Sequence, residues 1–241
     1  MTHMHIPDGI LPVRIWLAGF LIMFLIMLIC LGRLRGRDLK REIPLLGAVS
    51  AVMLVAMSLE ILPIAYHVNL SVVAGILLGP ALGFLAAFIT NLVLAFMGHG
   101  GVTVIGLNTL LLGTEAIIGH ALFFLFPKKL PVFWRAAVAT VLTLFVATMA
   151  LIGIVAVSHL DPDLFSHEHA SHGAEHEMAN EGQISVSRFA MLVLGLGAVG
   201  WVIEAAITGA VVSFIARVKP DLLVHVLHRE NSSRAGGLRG D

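Results

Sequence analysis

Charge is scarce in this chain. Only 12% of its 241 residues are Asp, Glu, Lys or Arg, and fifteen acidic and fifteen basic side chains cancel to a formal net charge of zero. That balance gives no electrostatic footprint for nucleic acid. A single cysteine, Cys30, excludes an internal disulfide framework. Its place inside an apolar run marks it as a small core or lipid-facing residue rather than a reactive thiol. No G-x-x-x-x-G-K-[ST] segment occurs, so the chain cannot energise anything with ATP by itself. The opening residues also lack the basic stretch of a secretory signal. Arg14 is the only Lys or Arg before Arg33, and it follows the turn-forming Pro7-Asp8-Gly9.

What is abundant is apolar sequence. Hydrophobic residues make up 58% of the chain and the mean hydropathy is +0.96. Apolar runs long enough to cross a bilayer recur along its whole length, continuous rather than alternating, which predicts helices and not a β-barrel. The fold class expected is all-α, a polytopic membrane protein of about seven transmembrane helices. We place them at about 12–31, 43–63, 68–79, 80–97, 103–126, 132–157 and 187–216. The third is short, roughly 18 Å if fully helical, and Gly79-Pro80 should end it and begin the next. Residues 1–241 then form one integral-membrane domain, with an N-terminal arm at 1–11, a His-rich loop at 159–186 and a polar tail at 218–241.

The cations choose an orientation. Arg33, Arg35, Arg37, Lys40, Arg41, Lys128, Lys129, Arg135, Arg217, Lys219, Arg229, Arg234 and Arg239 fall on one side of a seven-span chain, thirteen of the fifteen, leaving Arg14 and Arg188 near the other. By the positive-inside rule that side is cytoplasmic, so the N-terminus is expected outside and the C-terminus inside. The histidines sort the opposite way. His3, His5, His67, His99, His159, His167, His169, His172 and His176 all reach the outer face, nine of the twelve. Neutral imidazole is the usual protein ligand for nickel, cobalt, copper and zinc. A free amine, the next amide deprotonated, and an imidazole at position two chelate one ion. A remote histidine completes a square-planar nitrogen set suited to nickel(II) or copper(II). The opening stretch is therefore a candidate ligand arm.

The segments "MHIPDGIL", "PIAYHVNLSVVAGILLGPALGF", "GHGGVTVIGLNTLLLG" and "EAAITGAVVSFI" resemble the nickel/cobalt substrate-capture (S) component of energy-coupling-factor (ECF) transporters, the CbiM/NikM family. The resemblance implies that Met4 and His5 are the N-terminal chelating pair, that His67 is the remote ligand, and that Asn108 lies close under the metal. It implies a transported nickel or cobalt ion and no resident cofactor. It also implies a transmembrane coupling subunit, cytosolic ATPase subunits and a small accessory membrane subunit as partners, and a link to cobalamin biosynthesis.

Two departures from the family pattern bear on the metal. Family chains begin at the methionine that is Met4 here, so a free amine at Met4, at Thr2 followed by His3, or at a retained Met1-Thr2-His3 gives three different chelators. His99 stands where "GDGG" would carry an acid, and His3, His5, His67 and His99 together would admit zinc.

Other features carry structural readings beside functional ones. Glu60, Glu115 and Glu204 lie in or near spans, where ionisable groups face the bundle interior or a wet cavity. Glu60 is placed to support the site electrostatically, Glu204 and Thr208 are one helical turn apart, and helix-to-helix hydrogen bonding suits all three acids equally. His120 reads as a satisfied core histidine. The loop segment "HGAEH" fits a zinc-protease pattern weakly, because Gly173 interrupts the helix that pattern needs. It defines the rival reading, an intramembrane metallohydrolase. A membrane metal sensor that does not transport is a third.

Overall fold

The computed structural model describes residues 12–59, 67–98, 101–159 and 186–222. Among these described residues seven helices are laid out in chain order: α1 (Val13–Leu34), α2 (Glu42–Ser58), α3 (Ser71–Leu78), α4 (Pro80–Phe96), α5 (Ile105–Leu125), α6 (Val132–His159) and α7 (Val186–Val218). No strand occurs among the described residues. The all-α polytopic expectation is met, and most helix boundaries fall within three residues of those expected.

Length separates the helices into classes. Within α1, α5, α6 and α7 lie segments of at least 18 residues apolar enough to cross a bilayer. α2 and α4, at 17 residues each, sit at the lower limit for crossing. α3 has only eight residues, about 12 Å of helix, so it covers less than half of a hydrocarbon core. The outer faces match a lipid solvent: Leu21, Phe24, Leu25 and Leu28 of α1 and Phe145, Val202 and Phe214 of the α6–α7 pair are exposed.

α3 is the hub. All eight of its residues are buried, and it touches α2, α4, α5, α6 and α7. A helix this short is unstable alone, so packing must hold it. Gly75 shows how closely. A Cβ there would stand 1.9 Å from the carbonyl oxygen of Ala116 on α5, so the two backbones meet with nothing between them. Gly83 of α4 joins the same contact, its Cβ position 3.1 Å from Ala116 Cβ and 3.1 Å from Gly75 Cα. Small residues are what permit such approach in a membrane, where packing rather than the hydrophobic effect joins helices. The glycines of α7 do not all serve this way: among the described residues nothing lies within 4 Å of a Cβ at Gly195.

The break between α3 and α4 is also chemically determined. Gly79 has φ 82° and ψ 171°, a region open to glycine and closed to other residues. Pro80 follows at the first position of α4, where its missing N–H costs no hydrogen bond.

Beyond the hub, α6 and α7 pair along their length, with Phe145 and Trp201 edge to face at 5.9 Å. α6 is tied to α5 by Arg135. Its Nη2 donates to the carbonyl of Phe123 at 2.8 Å, and its guanidinium lies 4.4 Å above the Phe123 ring. That carbonyl would ordinarily accept from residue 127, which is proline and has no N–H; Arg135 fills the gap. Cys30 is buried with Met23, Met27 and Phe84, a packing residue as expected.

Candidate metal centre

His67 leads the short segment that enters α3. It is half-buried with its Nδ1 shielded from solvent, and Val68, Asn69 and Leu70 after it are buried. A buried connector must account for its backbone groups and its polar side chains. Asn69 does most of that. Its Oδ1 accepts the Ser71 N–H at 2.6 Å, capping the first turn of α3. Its Nδ2 donates to Glu115 Oε2 at 2.5 Å. Leu70 between them takes φ 56° and ψ 16°, a left-handed conformation that a branched side chain adopts only when its surroundings impose it.

The depth of this segment follows from its partner. Glu115 is the central residue of α5, ten positions from each end of Ile105–Leu125. The segment bearing His67 is thus fastened to the middle of a spanning helix rather than to its rim. Irregular backbone at such depth is stable only when enclosed by protein or facing a polar cavity, and short or broken helices that begin there are a recurrent way to build ion sites.

A second polar tie lies five residues further along α5. His120 Nδ1 is 2.9 Å from the carbonyl of Gly75. A carbonyl only accepts, so the ring donates through Nδ1–H. The ring lies 4.6 Å from that of Phe124. His120 is therefore hydrogen-bonded to α3 and Glu115 to the segment that leads into it, and His120 is the satisfied core histidine expected.

Asn108 is buried in the first turn of α5, its N–H donating to Val104 O at 2.9 Å. Glu204 and Thr208 are both fully buried on α7. The Thr208 hydroxyl has no hydrogen-bond partner among the described residues. His3, Met4, His5, Glu60 and His99 lie outside the described residues, as do residues 160–185 of the His-rich loop and 223–241 of the tail. α6 continues to His159, the position at which that loop was expected to begin. Among the described residues, no three His, Cys, Asp or Glu side chains gather into a metal cluster.

Asn69 was not singled out from sequence. Its signal was present, an asparagine two residues before the first helical residue in "HVNLS", the spacing at which Asx side chains cap backbone N–H groups. Its second bond, to a residue 46 positions away, left no local trace.

Residues 5–222 match the family described as "Cobalt uptake substrate-specific transmembrane region". A relative from Haloquadratum walsbyi, provisionally named a metal transport protein, is 29% identical over 241 residues, covering 95% of this chain and 98% of its own. The cobalt transport protein CbiM of Clostridium tetani is 28% identical over 162 residues, 61% of this chain and 66% of its own. A crystal structure described as a transition metal transporter superposes with a TM-score of 0.74 at 20% identity, covering 98% of this chain and all of that one. A truncated transition metal transporter gives 0.72 at 20% identity, with 89% and 99% covered. At that identity the structural likeness speaks for the fold alone. The match along nearly the whole chain speaks for more: this multi-pass membrane protein belongs to the CbiM family, the substrate-specific transmembrane components of cobalt uptake.

Proposed function

We propose that the protein captures a divalent transition metal, nickel or cobalt first and zinc as the alternative, on the outer face of the membrane. His67 is the ligand supplied by the helical bundle. The remaining donors come from the N-terminal arm, through His5 and the amine and amide nitrogens near Met4, with His3 and His99 as further imidazoles. Asn108 lies close under the ion and Glu60 supports it electrostatically.

One observation carries this reading. The segment bearing His67 is not a free loop but is fixed by Asn69 to the centre of α5. A ligand held in place before the ion arrives binds with less ordering cost. The N-terminal arm then completes the coordination from outside.

Delivery requires energy the chain does not carry. In this reading a transmembrane coupling subunit, cytosolic ATPase subunits and a small accessory membrane subunit complete an ECF-type transporter. ATP hydrolysis by those partners shifts the protein between an outward state that binds the metal tightly and an inward state that binds it weakly. The chain is a transport subunit and not an enzyme.

The test separates this reading from an intramembrane hydrolase and from a sensor. Cells expressing the protein with its ATPase and coupling partners should accumulate nickel or cobalt, and cells lacking the ATPases should not. Replacing His172 and His176 by alanine should leave that uptake within about twofold of wild type, since loop histidines only gather metal weakly. Uptake abolished by the double substitution would move the chemistry to the loop. Metal binding without uptake, even with the ATPases present, would make the protein a sensor.

A further inference from the structure

Three acidic side chains are buried among the described residues: Glu42, Glu115 and Glu204. Glu42 opens α2, beside Arg41 and the run of basic residues that precedes it. Glu204 sits on α7, whose main neighbour is α6. Glu115 contacts the segment that carries His67, accepting from the Asn69 amide at 2.5 Å.

A carboxyl group is a costly choice for that position. If its task were only to accept a hydrogen bond from Asn69, a glutamine oxygen would do so without bringing an ionisable group to the centre of a membrane span. The proposed ligands, by contrast, are nitrogen donors, mostly neutral. They leave a divalent ion with positive charge that low-dielectric surroundings do not screen. His67 is two residues from Asn69, at most about 7 Å along the backbone, so the carboxylate lies within Coulombic reach of an ion held by that imidazole.

We infer that Glu115 is the counter-charge for the captured cation, held beneath the His67 segment by Asn69 and acting across space rather than by coordination. The inference rests on His67 being a ligand, and it adds a charge requirement that the ligand set alone does not contain. It also gives Asn69 a second task. By bonding to Glu115 and to the Ser71 N–H at once, it keeps the anion and the ligand segment at a fixed separation.

Two substitutions on the full-length, detergent-purified protein separate charge from position. Glu115→Gln keeps an oxygen that can accept from Asn69 but removes the charge. Glu115→Asp keeps the charge on a side chain one methylene shorter, at some cost to the hydrogen bond. Nickel titrated calorimetrically into each should bind about tenfold more weakly to Glu115→Gln than to wild type. Glu115→Asp should recover most of that loss. The reverse order, with Glu115→Gln equal to wild type and Glu115→Asp impaired, would overturn the inference and leave Glu115 a structural hydrogen-bond acceptor. Should Glu115→Gln fail to fold, Glu115→Asp still decides, because a tenfold loss in that variant contradicts a role through charge. His67→Ala, titrated in parallel, keeps the two ideas apart. Unchanged binding in His67→Ala removes the ligand assignment itself, whereas lost binding there with unchanged binding in Glu115→Gln removes only the counter-charge.

Discussion

Replacing Gly75 by alanine is expected to be strongly destabilising. The added methyl would point at the Ala116 carbonyl oxygen at 1.9 Å, and a backbone atom cannot rotate aside as a side chain can. Overpacking a core generally costs about 1–3 kcal/mol, and a clash between two helix backbones belongs at or above the top of that range. The damage would spread, because α3 has no stability apart from its neighbours and contacts five other helices. It would also reach the candidate site. The Gly75 carbonyl is the partner of His120, and α3 begins four residues after His67. The measurement is thermal unfolding and monodispersity in detergent, with Gly47→Ala as the comparison. Gly47 lies on the exposed side of α2 with nothing within 4 Å. There alanine should be neutral or stabilising by up to about 1 kcal/mol, the helix-propensity difference. Equal melting temperatures for the two variants would show that the α3–α5 contact is looser than described.

The second large effect is on binding. His67→Ala is expected to weaken nickel and cobalt binding by more than about a hundredfold, since even groups that merely orient metal ligands are worth ten- to a hundredfold. Its fold should survive: His67 is only half-buried, and Asn69 still caps α3 and still bonds to Glu115. Metal analysis after desalting, alongside intact-mass determination of the N-terminus, reads both halves of the site. A chain beginning at Met4 or at Thr2 would fix which amine takes part. Wild-type occupancy in His67→Ala would exclude it as a principal ligand.

Much of this architecture was legible in the sequence because lipid imposes a simple grammar. Every spanning segment must be a continuous apolar run, and Gly79-Pro80 can be little other than a break between helices. α2 was expected to reach residue 63 and instead ends at Ser58, with Leu59 already extended. Hydropathy does not see that end, because "SLEILPIAY" stays apolar past the last helical residue. Pro63, which disfavours helix in the residue before it, was the available signal.

The interior was harder to read than the spans. His67 was visible as a candidate because it is a histidine beside an apolar run, on the side that the seven-span reading sets opposite the cations. What holds it was not visible. The Asn69–Glu115 bond joins residues 46 apart, and no periodicity encodes which buried polar groups will meet. Glu115 and His120 could be recognised as inward-facing. Only the geometry makes one of them a partner of the His67 segment and the other a lock on the Gly75 carbonyl.

At the root of this account is a claim about convergence: one imidazole anchored in the bundle and several nitrogens from the first residues of the chain meet on one ion. Anomalous diffraction from crystals of the nickel-loaded, full-length protein tests it most directly. The account predicts a single strong peak about 2 Å from a ring nitrogen of His67, with nitrogens of the first five residues completing its coordination. A nickel peak that sits elsewhere, with the His67 ring making no contact to it, would contradict it.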